Sequence, residues 1–224
     1  MRKCGVLILS GGIDSTTLCY KFVNEDWVIR PLIFNYGQKH RKEIEYAKRT
    51  CLRLSLDYKI IDLSGMKELL SGSALTDLSI DIPEVSETTK KFDTLETTIV
   101  PNRNSIFLSI AIGYAVSQDF DNVLFGAHHS DRGVYPDCRS EFIESFQASE
   151  RLATDNSSLR VIAPFVEMTK GKIVSIGSEM SVPFEETWSC YAGRDIHCGK
   201  CSSCIERKKA FSEAGVEDPT IYRS

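Results

Sequence analysis

Long apolar runs are missing from this sequence. The longest, around Ile106 to Val116, is broken by Ser109, Gly113 and Tyr114 and is too short to cross a bilayer. Arg2 and Lys3 precede an apolar Val6 to Leu9, but that run is too short for the core of a secretion signal and leads into a glycine turn with Asp14 behind it. The expectation is a cytoplasmic chain with no membrane partner. Basic charge is not in excess either. Acidic side chains number 31 against 27 basic ones, for a formal net charge of -4, which gives no electrostatic case for direct nucleic-acid binding. Internal repeats and low-complexity tracts are absent. With 42% hydrophobic and 26% charged residues, the 224-residue chain has the composition of an ordinary globular protein, long enough for one sizeable core and for a second domain at most.

What is present alternates between strand-like and helix-like stretches. Val6 to Leu9, Val28 to Phe34 and Tyr58 to Leu63 read as strands, separated by helix candidates Ser15 to Val23 and Lys42 to Leu54. That βαβαβ order predicts an α/β fold with a doubly wound parallel sheet. From Ser64 to Thr98 the pattern degrades, which predicts a surface excursion or lid. Regularity returns with helices over Asn104 to Gln118, Glu141 to Leu152 and Lys170 to Met180, and strands over Val123 to Phe125 and Arg160 to Ala163. The expected division is a nucleotide-binding domain over residues 1–187 and a small metal-stapled helical appendage over residues 188–224, where apolar residues are too few for a separate core.

Two clusters carry chemistry. Ser10-Gly11-Gly12-Ile13-Asp14-Ser15 lies directly between the first strand and the first helix. Glycines there let backbone N–H groups approach a ligand, and the helix start adds unpaired donors and the positive end of its dipole. The loop lacks the lysine of a Walker A motif; a plain strand-to-helix glycine turn is the competing reading. The second cluster is Cys190, Cys198, Cys201 and Cys204, spaced C-x7-C-x2-C-x2-C, apart from the scattered Cys4, Cys19, Cys51 and Cys138. Four thiolates so spaced suit a closed, structural Cys4 zinc site, with an iron–sulfur cluster as the alternative ligation. His197 lies inside the cluster, but the fourth cysteine makes it an exposed loop histidine by expectation.

Other polar residues are ambiguous by themselves. Arg103 follows Pro101 at a helix start, where a guanidinium could grip a carboxylate or phosphate, or simply be solvated. Asp131 and Asp137 follow the strand ending near Phe125, on the ligand-binding edge of an open sheet, where they could accept from a ligand or simply form a turn. His128 and His129 are adjacent, so on a strand they would point to opposite faces and not share an ion. Lys39, His40, Arg41 and Lys42 read as a solvated basic face.

Ser-Gly-Gly-x-Asp-Ser after a first strand resembles the pyrophosphate loop of the ATP pyrophosphatase superfamily. More narrowly, Asn35-Tyr36-Gly37-Gln38-Lys39-His40, Val100-Pro101-Asn102-Arg103-Asn104, Tyr135-Pro136-Asp137-Cys138-Arg139-Ser140-Glu141-Phe142 and Thr187-Trp188-Ser189-Cys190-Tyr191 resemble the 7-cyano-7-deazaguanine synthase family. The chain departs from that family's usual Gly-Val-Asn-Ala-Val-Asp at Gly126-Ala127-His128-His129-Ser130-Asp131. The resemblance implies ATP-dependent conversion of 7-carboxy-7-deazaguanine and ammonia to the 7-cyano product, for modified tRNA nucleosides, by a carbon–nitrogen ligase that is a homodimer. It implies that Leu9, Ser10, Gly11, Gly12, Ile13, Asp14, Ser15, Thr16 and Thr17 hold ATP with magnesium. It implies that Lys39, Arg103, Asp131, Tyr135, Asp137 and Arg139 meet the deazapurine, and that Asp14, Ser15, Lys170 and Arg103 take part in catalysis. A relative that adenylates but uses another acceptor, such as a protein amine or a tRNA, is the second reading, and a non-enzymatic zinc-ribbon module the third.

Overall fold

The computed structural model describes residues 2–70, 72–85, 95–131 and 133–223. The strand expected near Val6 forms as β1 (Cys4–Ile8), followed by α1 (Ile13–Asn24), β2 (Val28–Asn35), α2 (Lys42–Arg53), β3 (Lys59–Asp62) and a short α3 (Met66–Leu69). After the excursion come α4 (Arg103–Ser117), β4 (Asn122–Leu124), α5 (Ser140–Thr154), β5 (Arg160–Ile162), α6 (Lys170–Glu179) and α7 (Ser202–Ala214). All strand pairings are parallel and the order is β3-β2-β1-β4-β5, so the doubly wound sheet expected from the sequence is the one observed.

Side-chain alternation explains why a continuous apolar strand suits this sheet. Leu7 and Leu9 enter one core with Ile29 and Ile33, under α1 and α6. Val6 and Ile8 enter the other with Leu32 and Phe34, under α4 and α5. A strand covered on both faces must be apolar at every position, and β1 is. The chain winds outward from β1 to β3, then crosses to β4 on the opposite side. The carboxyl ends of β1 and β4 therefore diverge at a topological switch point, where open α/β sheets form ligand crevices.

Two parts of the chain are bound into the fold in ways that local sequence does not show. Within the excursion, Ser73, Ala74, Leu75 and Thr76 are buried, because Leu75 packs into the second core and its carbonyl accepts from Lys39 N at 2.9 Å. Residue 71 and residues 86–94 of that stretch lie outside the described residues. The tail shares the main core: Ala210 and Phe211 of α7 pack with Ile173 and Val174 of α6, and the Phe211 ring meets Phe184 edge-on at 5.1 Å. It is also tied by Arg207, which is fully buried yet donates to the Phe184 carbonyl and Thr187 Oγ1, both at 2.8 Å, and pairs with Asp218 at 3.3 Å. Burial is tolerable because those guanidinium donors are matched.

Gly11 has φ +80°, and a Cβ there would lie 2.4 Å from Glu43 O and 2.6 Å from Ala47 N, both backbone atoms of α2. Gly12 has φ -79°, and its Cβ would meet nothing nearer than 3.4 Å. Gly11→Ala is therefore expected to lower unfolding stability by about 2 kcal/mol or more, and Gly12→Ala by about 0.5 kcal/mol or less. Denaturant midpoints at unchanged slope check this, and equal midpoints for the two variants would contradict it.

Candidate functional site

The main cleft opens at the switch point, and the Ser10 to Ser15 loop forms its floor. Ser15 Oγ accepts from Ser10 N at 3.1 Å and lies 2.9 Å from Ser10 Oγ, while Gly12 N donates to Ser10 Oγ at 3.3 Å. The two hydroxyls thus brace the turn from within. Gly12 caps α1 without any side-chain acceptor, which leaves the first-turn N–H groups of α1 for an acceptor from outside, and an anion satisfies them best. Leu9, Ser10, Gly12, Ile13, Asp14 and Ser15 line the cleft. Gly11 instead packs against α2, and Thr16 and Thr17 are buried in α1 behind the loop.

Charge collects where α6 begins. Thr169 caps α6 by accepting from Lys172 N at 3.3 Å, which sets Lys170 on the first turn. A lysine there opposes the helix dipole and needs local acceptors. Its Nζ lies 3.2 Å from Asp14 Oδ2, 3.1 Å from Glu206 Oε2 and 3.4 Å from His128 Nε2. Sequence reasoning missed Glu206, because it arrives from the tail through the docking of α7 on α6. His128 is buried against this group and His129 is exposed; the strand expected to separate them ends at Leu124, and His129 instead opens a 3-10 turn over His129–Asp131, so the divergence comes from that turn and not from strand alternation. The Asp14 Oδ1 oxygen is buried without a hydrogen-bond partner among the described residues. A phosphate-bound divalent cation would suit that oxygen chemically.

The opposite wall is aromatic and basic. Arg103, on the first turn of α4, donates from Nη1 to Tyr36 Oη at 3.3 Å, and its guanidinium lies 5.5 Å from the Tyr36 ring centre. Burial works against its charge, but Tyr36, Tyr135, Tyr191 and Glu43 around it outweigh that and hold its pKa above the ordinary arginine value. Tyr135 lines the cleft with its hydroxyl 3.0 Å from Thr98 Oγ1. Asp137 is engaged by α4: its carboxylate accepts from Asn104 N and Asn104 Nδ2, each at 3.1 Å. An anion at a helix start is well placed electrostatically, and it presents the Asn104 side chain to the cleft.

The other substrate expectations scatter. Lys39 Nζ donates to the Ile80 carbonyl. Arg139 is exposed at the N-cap of α5. The Asp131 side chain lies outside the described residues. Two residues assigned to a solvated face or left unassigned line the cleft instead: His40, 3% exposed, and Glu43, which lies 3.1 Å from it. Tyr191 and Gly193 of the tail pack against His40, and no local pattern signals that.

The four Sγ atoms of Cys190, Cys198, Cys201 and Cys204 lie within 4.8 Å of one another. Tetrahedral bonds of about 2.3 Å from four thiolates imply sulfur separations of roughly 3.8 Å, so the set suits a four-coordinate metal. Cys198 N donates to Cys190 Sγ at 3.3 Å, and Cys201 N to Cys198 Sγ at 3.3 Å. Sulfur hydrogen bonds from Cys201 and Cys204, helped by backbone donors, push the Cys190 pKa far below the usual thiol range. His197 is not exposed as expected: it is buried, accepts from Ser189 N at 3.1 Å and packs 4.2 Å from the Trp188 ring. The scattered Cys19 and Cys51 are core thiols, with burial pushing Cys51 up to about 12.

No described helix is long and apolar enough to cross a membrane. The family model described as "Queuosine biosynthesis protein QueC" matches residues 4–215. Similar curated relatives are the 7-cyano-7-deazaguanine synthases of Rhizobium leguminosarum, 45% identical over 97% of this chain and 91% of theirs, and of Brucella ovis, 44% identical over 97% and 92%. Among solved structures, the NMN synthetase from Francisella tularensis shares the fold at 13% identity, with a TM-score of 0.52 over 94% of this chain and 84% of that one. With a cleft floored by a phosphate-type loop, a four-cysteine tail and near full-length similarity at this level, the chain belongs to the QueC family.

Proposed function

We propose that this chain converts 7-carboxy-7-deazaguanine and ammonia to 7-cyano-7-deazaguanine with ATP, as a carbon–nitrogen ligase working as a homodimer in a 7-deazaguanine-modified tRNA pathway. The observation that carries the reading is the pairing of the anion-binding turn at Gly12 with Lys170 and Asp14 at its edge, inside a chain of this family. A carboxylate is a poor electrophile, so it must gain a leaving group before nitrogen can attack. The first-turn N–H groups of α1 and the Ser10 and Ser15 hydroxyls would hold phosphate oxygens. Lys170 would stabilise charge as pyrophosphate departs, with Glu206 and Asp14 fixing its ammonium. Magnesium, when bound with ATP, would neutralise phosphate charge, and Asp14 Oδ1 is a protein oxygen that could join its ligands. Attack by ammonia on the adenylate gives the amide, and a second activation of the amide oxygen followed by loss of AMP leaves the nitrile.

Arg103, Tyr36, Tyr135 and Tyr191 are read as the wall that receives the ring and its carboxylate, a guanidinium within aromatic surfaces being suited to both. Asp137 acts on the same wall through Asn104. Lys39, Arg139 and Asp131 remain part of the proposed substrate surface around it. Zinc at the four cysteines is structural, since four thiolates leave no open position. The tail then serves as a wall of the cleft, contributing Trp188, Tyr191, Ser203 and Glu206.

Incubation with ATP, magnesium, ammonium and 7-carboxy-7-deazaguanine should yield the nitrile by mass; an adduct on a protein amine or a tRNA instead would favour the alternative acceptor. Ser15→Ala or Lys170→Ala should lower turnover by about 100-fold or more while the circular dichroism spectrum is kept, and normal turnover in both would remove the loop from the mechanism. Asp137→Ala, which acts through Asn104, should weaken the deazapurine acid by about tenfold or less and ATP little, read by competitive binding. Cys201→Ser should reduce zinc per chain and expose residues 188–224 to proteolysis, whereas iron with a visible charge-transfer band in the parent protein would replace zinc by a cluster.

A further inference from the structure

A buried acid–imidazole pair faces the cleft, and none of the steps above uses it. His40 Nε2 lies 3.1 Å from Glu43 Oε2. The other Glu43 oxygen accepts from Gln38 Nε2 at 2.8 Å, and Gln38 is itself fixed by accepting from Tyr36 N at 2.8 Å and donating to the Phe34 carbonyl at 3.1 Å. The Glu43 carboxylate beside Nε2 favours a proton on that nitrogen, which places the lone pair of the neutral ring on Nδ1. Nδ1 is buried and has no hydrogen-bond partner among the described residues. An orphaned buried acceptor is costly, which is reason to look for a ligand that supplies the donor. Glu43 faces the ring from α2, and Tyr191 faces it from the tail with ring centres 5.4 Å apart. Arg103 on α4 lies within electrostatic reach of both Glu43 and Tyr191.

We propose that His40, oriented by Glu43, is the general base of this cleft, taking the proton released by the nitrogen nucleophile. The inference rests on the adenylating reading above. In the step concerned, the ammonia lone pair forms the C–N bond to the activated carboxyl carbon. The C–O bond to the phosphate breaks, and AMP leaves with that electron pair. The nitrogen, now positively charged, gives one proton to His40 Nδ1; the imidazolium is balanced by the Glu43 carboxylate and passes the proton to water. Formation of the nitrile releases two further N–H protons after the amide oxygen is activated, and the same base is placed to take them in turn. The arrangement follows the logic of acid–imidazole pairs generally, in which the carboxylate fixes the tautomer and the ring performs the transfer.

The test separates adenylation from nitrogen attack in the full-length protein. His40→Asn keeps a polar group near the Nδ1 position but removes the base, and Glu43→Gln keeps the contact to Gln38 while removing the charge. For each, exchange of pyrophosphate into ATP is measured with the deazapurine acid and without ammonium, alongside nitrile formation with ammonium. The expected result is a fall in nitrile kcat of about 100-fold or more for His40→Asn and about tenfold for Glu43→Gln, with exchange and both KM values within about threefold of the parent. Glu43→Gln carries the test if His40→Asn fails to fold. Exchange falling as far as nitrile formation, or KM rising by the same factor as kcat falls, would make His40 a ligand contact and overturn the proposal. Unchanged nitrile formation would overturn it as well. A parent protein that exchanges pyrophosphate but makes no nitrile would instead overturn the function proposed above, and this inference with it.

Discussion

The turn at Gly11 is held from three sides, and most of the site depends on that hold. Its backbone sits where a Cβ would strike α2, its φ is left-handed, and its carbonyl accepts from Trp188 N at 2.9 Å. One residue therefore sets the approach of α2, the start of α1 and the docking of the tail. Were the turn wider, the first-turn N–H groups of α1 would no longer aim into the crevice between β1 and β4, and Trp188 would lose its anchor on the loop.

Around that turn the cleft is electrostatically divided. At the α6 end, Lys170 is shared among Asp14, Glu206 and His128, so its ammonium is fixed rather than mobile. At the α4 end, Arg103 is held among tyrosines, with Glu43 nearby. A ligand that spans the cleft meets cationic groups at both ends and backbone donors in the middle, a layout suited to joining a polyphosphate to a planar acid. Preorganised charge of this kind needs no rearrangement when negative charge develops.

The cysteine tail is tied into this layout by more than its metal ligands. Phe211 enters the main core, and Arg207 satisfies carbonyl and hydroxyl acceptors on the segment that leads to Trp188. Glu206, one residue away on α7, reaches Lys170. Binding energy at the four thiolates is thereby coupled to the position of a cleft residue, since a metal that orders the segment also orders α7.

The linear sequence determined the strands, their parallel direction, the phosphate-type turn and the four-cysteine set, because these depend on apolar runs alternating with helix candidates, a glycine turn between strand and helix, and tight cysteine spacing. It also marked Arg103 and Tyr135 through motif-like stretches, and Lys170 through its place at a helix start and its family resemblance. Only the tertiary structure decided where His40, Glu43, Asp137, His197 and Glu206 sit and what they pair with. His40 sits in a basic run that reads as solvated, yet it is buried with Tyr191 and Gly193 of the tail packed against it. His197 lies among exposed-looking loop residues, yet Trp188 and Tyr222 enclose it. Asp137 reads as a base acceptor or a turn residue, yet the start of α4, distant in sequence, takes both its oxygens. In each case the deciding contact comes from a segment far along the chain. Burial and pairing of a polar side chain depend on such contacts, whereas periodicity and spacing record only neighbours.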